Sequence, residues 1–158
     1  MADRHLAQFN VARLREPLDE RVWQEFVDGL DRVNLVADQS RGFVWRLVLP
    51  EGHVVQQGIF ANLSLWESYE SLHAFLYRSD HGSYTRRRRR WFEPTPGPTT
   101  VLWWVEAGDR PTLDQARARL EHLRRHGPSP PAFSLLRQYD ADGRSRSPGG
   151  ARDLPGRA

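Results

Sequence analysis

The 158-residue chain contains no cysteine. Disulfides, iron–sulfur clusters, cysteine nucleophiles and thiolate zinc sites are thereby excluded together. It also contains no lysine, so all 23 basic side chains are arginine. No apolar run approaches the roughly 20 residues a membrane span needs, and the opening MADRHLAQFNVARL lacks the uninterrupted apolar core of a signal peptide. A soluble, cytoplasmic protein is the expectation. The basic balance is also thinner than the pI of about 9.9 implies. Residues 141–158 hold four Arg and two Asp, which leaves 19 Arg against 18 acidic residues on positions 1–140. A nearly neutral body argues against a polyanion partner, and nucleic acid is not expected.

What the chain does have is large packing groups, with six Trp, seven Phe and four Tyr in one domain's length of sequence. HLAQFNVA at 5–12 alternates with the period of a strand. After Pro17, Asp19 can cap a helix whose apolar positions Trp23, Phe26, Leu30, Val33 and Ala37 follow three-and-four spacing. GFVWRLVLP is a second strand, EGHVVQQG a turn with a short extended excursion, and FANLSLW at 60–66 alternates again. A helix from about Glu67 would bury Tyr69, Leu72, Phe75 and Leu76, and TTVLWWVEA supplies another strand after the EPTPGP loop. The order β-α-β-β-α-β is that of a ferredoxin-like α+β protomer. TLDQARARLEHLRRHG adds a C-terminal amphipathic helix ended at Gly127, and AFSLLRQY an edge strand or arm. A single domain over 1–140 and a disordered Arg/Gly/Pro-rich tail over 141–158 are expected.

The two helices can cover only one face of such a sheet, yet TVLWWV is apolar on both sides. A second copy of the chain is the economical cover for the other face, which predicts a homodimer. On that face alternation places Gln8 and Asn10 of the first strand and Asn62 and Ser64 of the third. A mostly apolar wall with a few placed polar groups has the character of a pocket.

The segments HLAQFN, GFVWRL, NLSLWESYESLHAFLYRSDH, RRRRRWFE, LWWVEAG and LRRHGPSPPAF occur in order over about residues 4–140. In them the chain resembles an uncharacterised bacterial domain-of-unknown-function family of the dimeric α/β-barrel superfamily. That resemblance implies a dimeric α/β barrel and a kinship with antibiotic-biosynthesis monooxygenases, isomerases and haem-using enzymes of the same fold. Trp66, the helix that follows it and Ser79-Asp80-His81 look similar to the strand-end Trp, helix and Ser-x-His segment of the monooxygenases. Phe75 stands about where those enzymes often carry a first histidine.

YRSDHGSYTRRRRRWFE at 77–93 is the least ordinary stretch. Read as a helix, it puts His81, Tyr84, Arg88 and Trp91 on one stripe and sends Arg86, Arg87, Arg89 and Arg90 elsewhere. Five successive helical residues circle the axis, so the run cannot present one stripe to phosphates. His81 at a helix start is biased towards neutral imidazole, fit either to hydrogen-bond across a helix junction, to move a proton, or to bind haem iron. Arg88 either pairs with a carboxylate or holds an anionic substrate group. Arg46 is placed with Val44 and Val48 towards the enclosed space, because burying it under helices would be costly. Trp103 and Trp104 face opposite sides of their strand, so either both pack in the core or one looks into the enclosed space, where it would favour a flat ligand; Trp104 is carried as the pocket candidate.

Catalytic candidates are therefore His81, Asn62 and Ser64, and substrate-binding candidates Gln8, Asn10, Arg46, Tyr84, Arg88 and Trp104. A cofactor-independent monooxygenase or isomerase acting on a small aromatic or polyketide-like compound is the first functional expectation. Its alternatives are a haem enzyme with His81 as axial ligand, and a non-catalytic ligand-binding or interaction module. Walker, dinucleotide-glycine, HExxH and GxSxG motifs are missing.

Overall fold

The computed structural model describes residues 3–16, 19–49, 55–78 and 88–146. Strand β1 (Arg4–Leu14) leads into α1 (Glu20–Gln39), β2 (Phe43–Arg46), β3 (Val55–Gln56), β4 (Ile59–Trp66) and α2 (Tyr69–Arg78). Then come β5 (Phe92–Glu93), β6 (Thr100–Glu106), α3 (Leu113–His126) and a short hairpin of β7 (Gln138–Tyr139) and β8 (Ser145–Arg146).

Each helix begins where the sequence offers a cap. The Asp19 carboxylate accepts the Val22 N–H at 2.8 Å, and Thr112 and Gln115 form a reciprocal capping box at the start of α3. β3 and β4 meet through Gln57 and Gly58, both at positive φ. That pair matches the left-handed backbone of a tight hairpin turn.

The main sheet is antiparallel, in the order β2-β4-β1-β6, with β3 extending the β4 pairing and β5 meeting the far end of β1. That is the ferredoxin-like order. Phe26, Leu30 and Ala37 of α1 and Tyr69 and Leu72 of α2 are buried against one face, in two apolar clusters. One cluster joins Leu6, Trp66 and Leu102 to α2, and the other joins Ala12, Leu14 and Phe60 to α1 and Trp91. A Cβ on Gly29 would lie 3.2 Å from the Trp91 indole, so the bare glycine lets that ring lie against α1.

The opposite face carries Ala7, Phe9, Leu63, Leu65, Val101 and Trp103, and it is closed by the chain's own α3 through Ala116, Leu120 and Leu123. The uncovered apolar face expected to need a second copy is thus covered in cis. After Gly127 the chain crosses the β6 edge. Ala132 packs on the α3 side, Phe133 exchanges two backbone hydrogen bonds with Leu102 at 2.8 and 2.9 Å, and its ring enters the α2-side cluster. This single bridge caps the β6 edge at Leu102.

The β7–β8 hairpin carries regular backbone to Arg146, inside the segment assigned to the tail, while residues 147–158 lie outside the described residues. Arg146 pairs with Glu70 of α2 and lies over the Tyr69 ring at 5.3 Å. Partial burial pushes the Glu70 carboxyl up. Its backbone N–H, the hydrogen bond and charge of Arg146 and the Ser68 hydroxyl together outweigh this and hold it below its ordinary value. The arm's hold on α2 is therefore complete at neutral pH and weakens as the pH falls through that lowered value. Among the described residues no helix is long and apolar enough to cross a membrane.

Candidate functional site

Three neighbouring strands set the site. On the face turned to α1 and α2, β1 presents Leu6, Gln8, Asn10, Ala12 and Leu14, and β4 presents Phe60, Asn62, Ser64 and Trp66. The register puts Gln8 opposite Ser64 and Leu102, and Asn10 opposite Asn62 and Thr100. The result is a polar band across mid-sheet, lying between the two apolar clusters.

This corrects the side on which these groups stand. Alternation sorted Gln8, Asn10, Asn62 and Ser64 into one set, but the face away from α1 and α2 belongs to the Ala7–Phe9–Leu63–Leu65 set under α3. Parity alone assigns residues to sets, and only the packed helices say which set they cover.

Half of the band is wired. The Trp66 indole Nε1 donates to Ser64 Oγ at 3.0 Å, and Ser64 Oγ donates to Gln8 Oε1 at 3.1 Å. An indole N–H can only donate and a serine hydroxyl has one proton, so the chain runs in one direction. It fixes the Gln8 carbonyl towards Ser64 and turns Nε2 away, with no acceptor for it among the described residues. Asn10 and Asn62, opposite one another, make no side-chain hydrogen bond among the described residues, and Asn10 Oδ1 is buried without a partner. Both residues are half-buried, so a cost of about 1–3 kcal/mol attaches to the one buried unpaired atom, Asn10 Oδ1, which has a polar partner to gain from a ligand. What the band offers chemically is three amides beside apolar clusters, Gln8 held in orientation and Asn10 and Asn62 available to turn their N–H groups to a ligand, suited to an oxygen that gains negative charge.

Arg46 joins this face by a different route from the expected one. A register shift between Phe43 and Trp45 makes Val44 the extra residue, so Phe43 and Arg46 both point to the helix side. There α1 supplies Asp38, which accepts Nε at 2.8 Å and NH2 at 3.3 Å. The pair is part-exposed, so no charge is buried under the helices, and Arg46 spends Nε and one terminal nitrogen on Asp38.

Trp104 is on the helix-side face, one row beyond Leu102. It packs with the α2-side cluster and donates Nε1 to the Tyr139 carbonyl at 2.9 Å, which anchors the arm. Trp103 is buried under α3, with Arg119 over its ring at 5.9 Å. His81 and Tyr84 lie outside the described residues. Of their proposed stripe, Trp91 is buried beside α1 and Arg88 half-buried over the Phe92 ring at 5.7 Å. The haem reading rests on His81 alone, and among the described residues no group of His, Asp or Glu has the makings of a metal site.

Three participants escaped the sequence reading. Thr100 completes the band and shares parity with Leu102 and Trp104, but its row is known only from its pairing with Asn10. Trp66 acts as a donor as well as a packing group. Asp38 carries no motif at all and is found only through Arg46.

A family described as a domain of unknown function, DUF3291, matches residues 5–148. No curated protein matches the chain. Among solved structures, a protein of unknown function from Nitrosomonas europaea is 12% identical over 71% of this chain and 97% of its own, with a TM-score of 0.47. The cofactor-independent oxygenase SnoaB from Streptomyces nogalater is 14% identical over 70% and 94%, with a TM-score of 0.37. A dimeric protein of unknown function and ferredoxin-like fold from Bacteroides fragilis is 10% identical over 65% and 95%, with a TM-score of 0.45. At these values each is a likeness of outline.

Proposed function

We propose that this chain, which belongs to the domain-of-unknown-function family DUF3291, is a small-molecule enzyme whose helix-side amide band stabilises the enolate or phenolate oxygen of a flat substrate. The observation that carries the reading is the pair Asn10 and Asn62, unbonded between two apolar clusters, beside a Gln8 whose N–H is aimed by Ser64 and Trp66. Loss of a proton from a phenol or from carbon beside a ketone leaves charge on oxygen; the oriented Gln8 N–H lowers the energy of that charge without reorganising, and Asn10 and Asn62 add donors that the ligand itself orders. Isomerisation and cofactor-independent oxygenation of a small aromatic or polyketide-like compound both begin with this step. Asn62, Asn10 and Gln8 take the oxygen, Ser64 positions Gln8, and His81 is the proposed proton acceptor.

A naphthol tests the first half of the reading directly, because its ionised form absorbs at longer wavelength than its neutral form. Bound to the protein, it is expected to ionise at a pH about one unit below its value in water, a tenfold preference for the charged form. Binding with an unchanged ionisation would reduce the site to a non-catalytic ligand module. A homodimer belongs to the same proposal. With α3 on the former open face, the edge strand β2, which has no outer partner among the described residues and has Val48 exposed beside it, is the surface proposed for pairing. Sedimentation equilibrium should return twice the 18.3 kDa chain mass, and a monomer mass at micromolar concentration would remove the pairing.

A further inference from the structure

A second feature stands outside the amide band. β6 pairs with β1 as far as Asn10, and β5 pairs with it only from Arg13. In between, the chain leaves the sheet through Pro94, Pro96 and Pro98, which have no N–H to give to a ladder. The last bond on this side is Val11 N–H to the Thr99 carbonyl at 2.9 Å. The excursion opens a groove of about 410 Å³ over Val11 and Ala12, walled by Phe92 and Pro94 and lined by Arg15, Arg88 and Arg89 against a single carboxylate, Glu93.

These arginines are positioned but uncommitted. Arg15 Nε donates to the Arg89 carbonyl at 2.8 Å, which steers its guanidinium while leaving the two terminal nitrogens available. Arg88 is set by the Phe92 ring beneath it, 5.7 Å from the centroid. Among the described residues none of the three forms an ion pair, whereas the next arginine of the run, Arg90, reaches Glu25 of α1 at 3.5 Å. Burial of Trp91 against α1 fixes the helical turn 88–91 from which Arg88 and Arg89 project.

We propose that this groove is a binding site for a small aromatic oxyanion. Its carboxylate or phosphate head would be held by Arg88, Arg89 and Arg15, and its flat body laid on Val11, Phe92 and Pro94. Guanidinium forks match the geometry of both head groups, and they bind more tightly beside an apolar wall than in open water. The volume lies in the range of small-ligand sites, about 300–1,000 Å³. The arginine run thus divides its work, with Arg90 tying to α1 and Arg88 and Arg89 facing the groove. The site does not depend on the amide band, whose nearest member, Asn10, is absent from its lining.

Titration calorimetry on the full chain tests it with 1-naphthoate, 1-naphthyl phosphate, methyl 1-naphthoate and inorganic phosphate. The two aromatic anions are expected to bind, the neutral ester at least about tenfold more weakly because it lacks a charge-assisted contact worth that much, and bare phosphate at least about tenfold more weakly because it lacks the ring that covers the apolar wall. The naphthoate-to-naphthyl-phosphate ratio then says which head group the site prefers. Arg88→Ala with Arg89→Ala should weaken naphthoate at least about tenfold, Arg88→Lys less, and Glu93→Gln should tighten it several-fold by removing the one opposing charge. Arg21→Ala, on an exposed side chain outside the groove, should leave it unchanged. Asn10→Leu with Asn62→Leu should also leave it unchanged, which separates this site from the amide band. No binding of either anion, equal binding of the methyl ester, or an affinity unmoved in the double arginine variant would each overturn the proposal.

Discussion

Phe26→Ala is expected to cost about 3–5 kcal/mol of folding stability, a large share of the roughly 5–15 kcal/mol of an ordinary domain. Phe26 is fully buried in α1 and is the ring on which separate elements converge. It stands edge-on to Phe60 of β4 at 5.4 Å and to Phe92 of β5 at 5.5 Å, and it also meets Trp91 at 5.5 Å. Removing it forfeits the transfer term of the ring, the edge-to-face contacts and the packing of neighbours that cannot all collapse into the space. Because Trp91 and Phe92 also position Arg88, the same variant should loosen the arginine groove while leaving the α2-side cluster around Trp66 intact. Urea unfolding measures the loss through the transition midpoint, and a cost under about 1 kcal/mol would show that the cluster is not packed as described.

Ser64→Ala should be the most expensive one-atom change in the molecule, at about 2–4 kcal/mol. The hydroxyl accepts from Trp66 and donates to Gln8, so its removal strands two polar groups in the helix–sheet layer at once. In a Gln8→Leu background one of those two groups is already gone, and the cost of Ser64→Ala should fall by about 1 kcal/mol or more. Equal costs in both backgrounds would mean that the hydroxyl does not couple the two side chains. The mutation should also weaken naphthol ionisation on the protein, since Gln8 would be free to turn its carbonyl towards the ligand.

The fold was largely legible because its signals are local. Asp19 and Thr112 cap helices that begin where those residues stand, and Gly127 ends α3. Alternation in HLAQFN and NLSLW likewise grouped Gln8 with Asn10 and Asn62 with Ser64, and the register brings these two pairs together. The side on which they meet the helices was not legible. β6 is apolar on both faces, and nothing local announces that α3 folds back over one of them rather than leaving it to a second copy. Arg46 was misplaced for a related reason. One extra residue at Val44 inverts the parity of everything after it, and a bulge leaves no mark in a short apolar strand. The arginine groove depends on where β5 rejoins β1, a long-range pairing that the Pro-rich segment only hints at.

The central claim is that Asn10 and Asn62 are kept for a ligand at the expense of stability. The most direct measurement pairs thermal unfolding with naphthol ionisation in the Asn10→Leu, Asn62→Leu double variant. Replacing Asn10, whose Oδ1 is buried without a partner, and the half-buried Asn62 by apolar side chains of similar size should raise Tm by about 2–4 °C for each kcal/mol gained in a domain of this size, with the gain carried by Asn10. The long-wavelength band of the bound naphthol should disappear in the same protein. A lowered Tm with the band retained would contradict the account, because it would make the two asparagines structural and the oxygen site elsewhere.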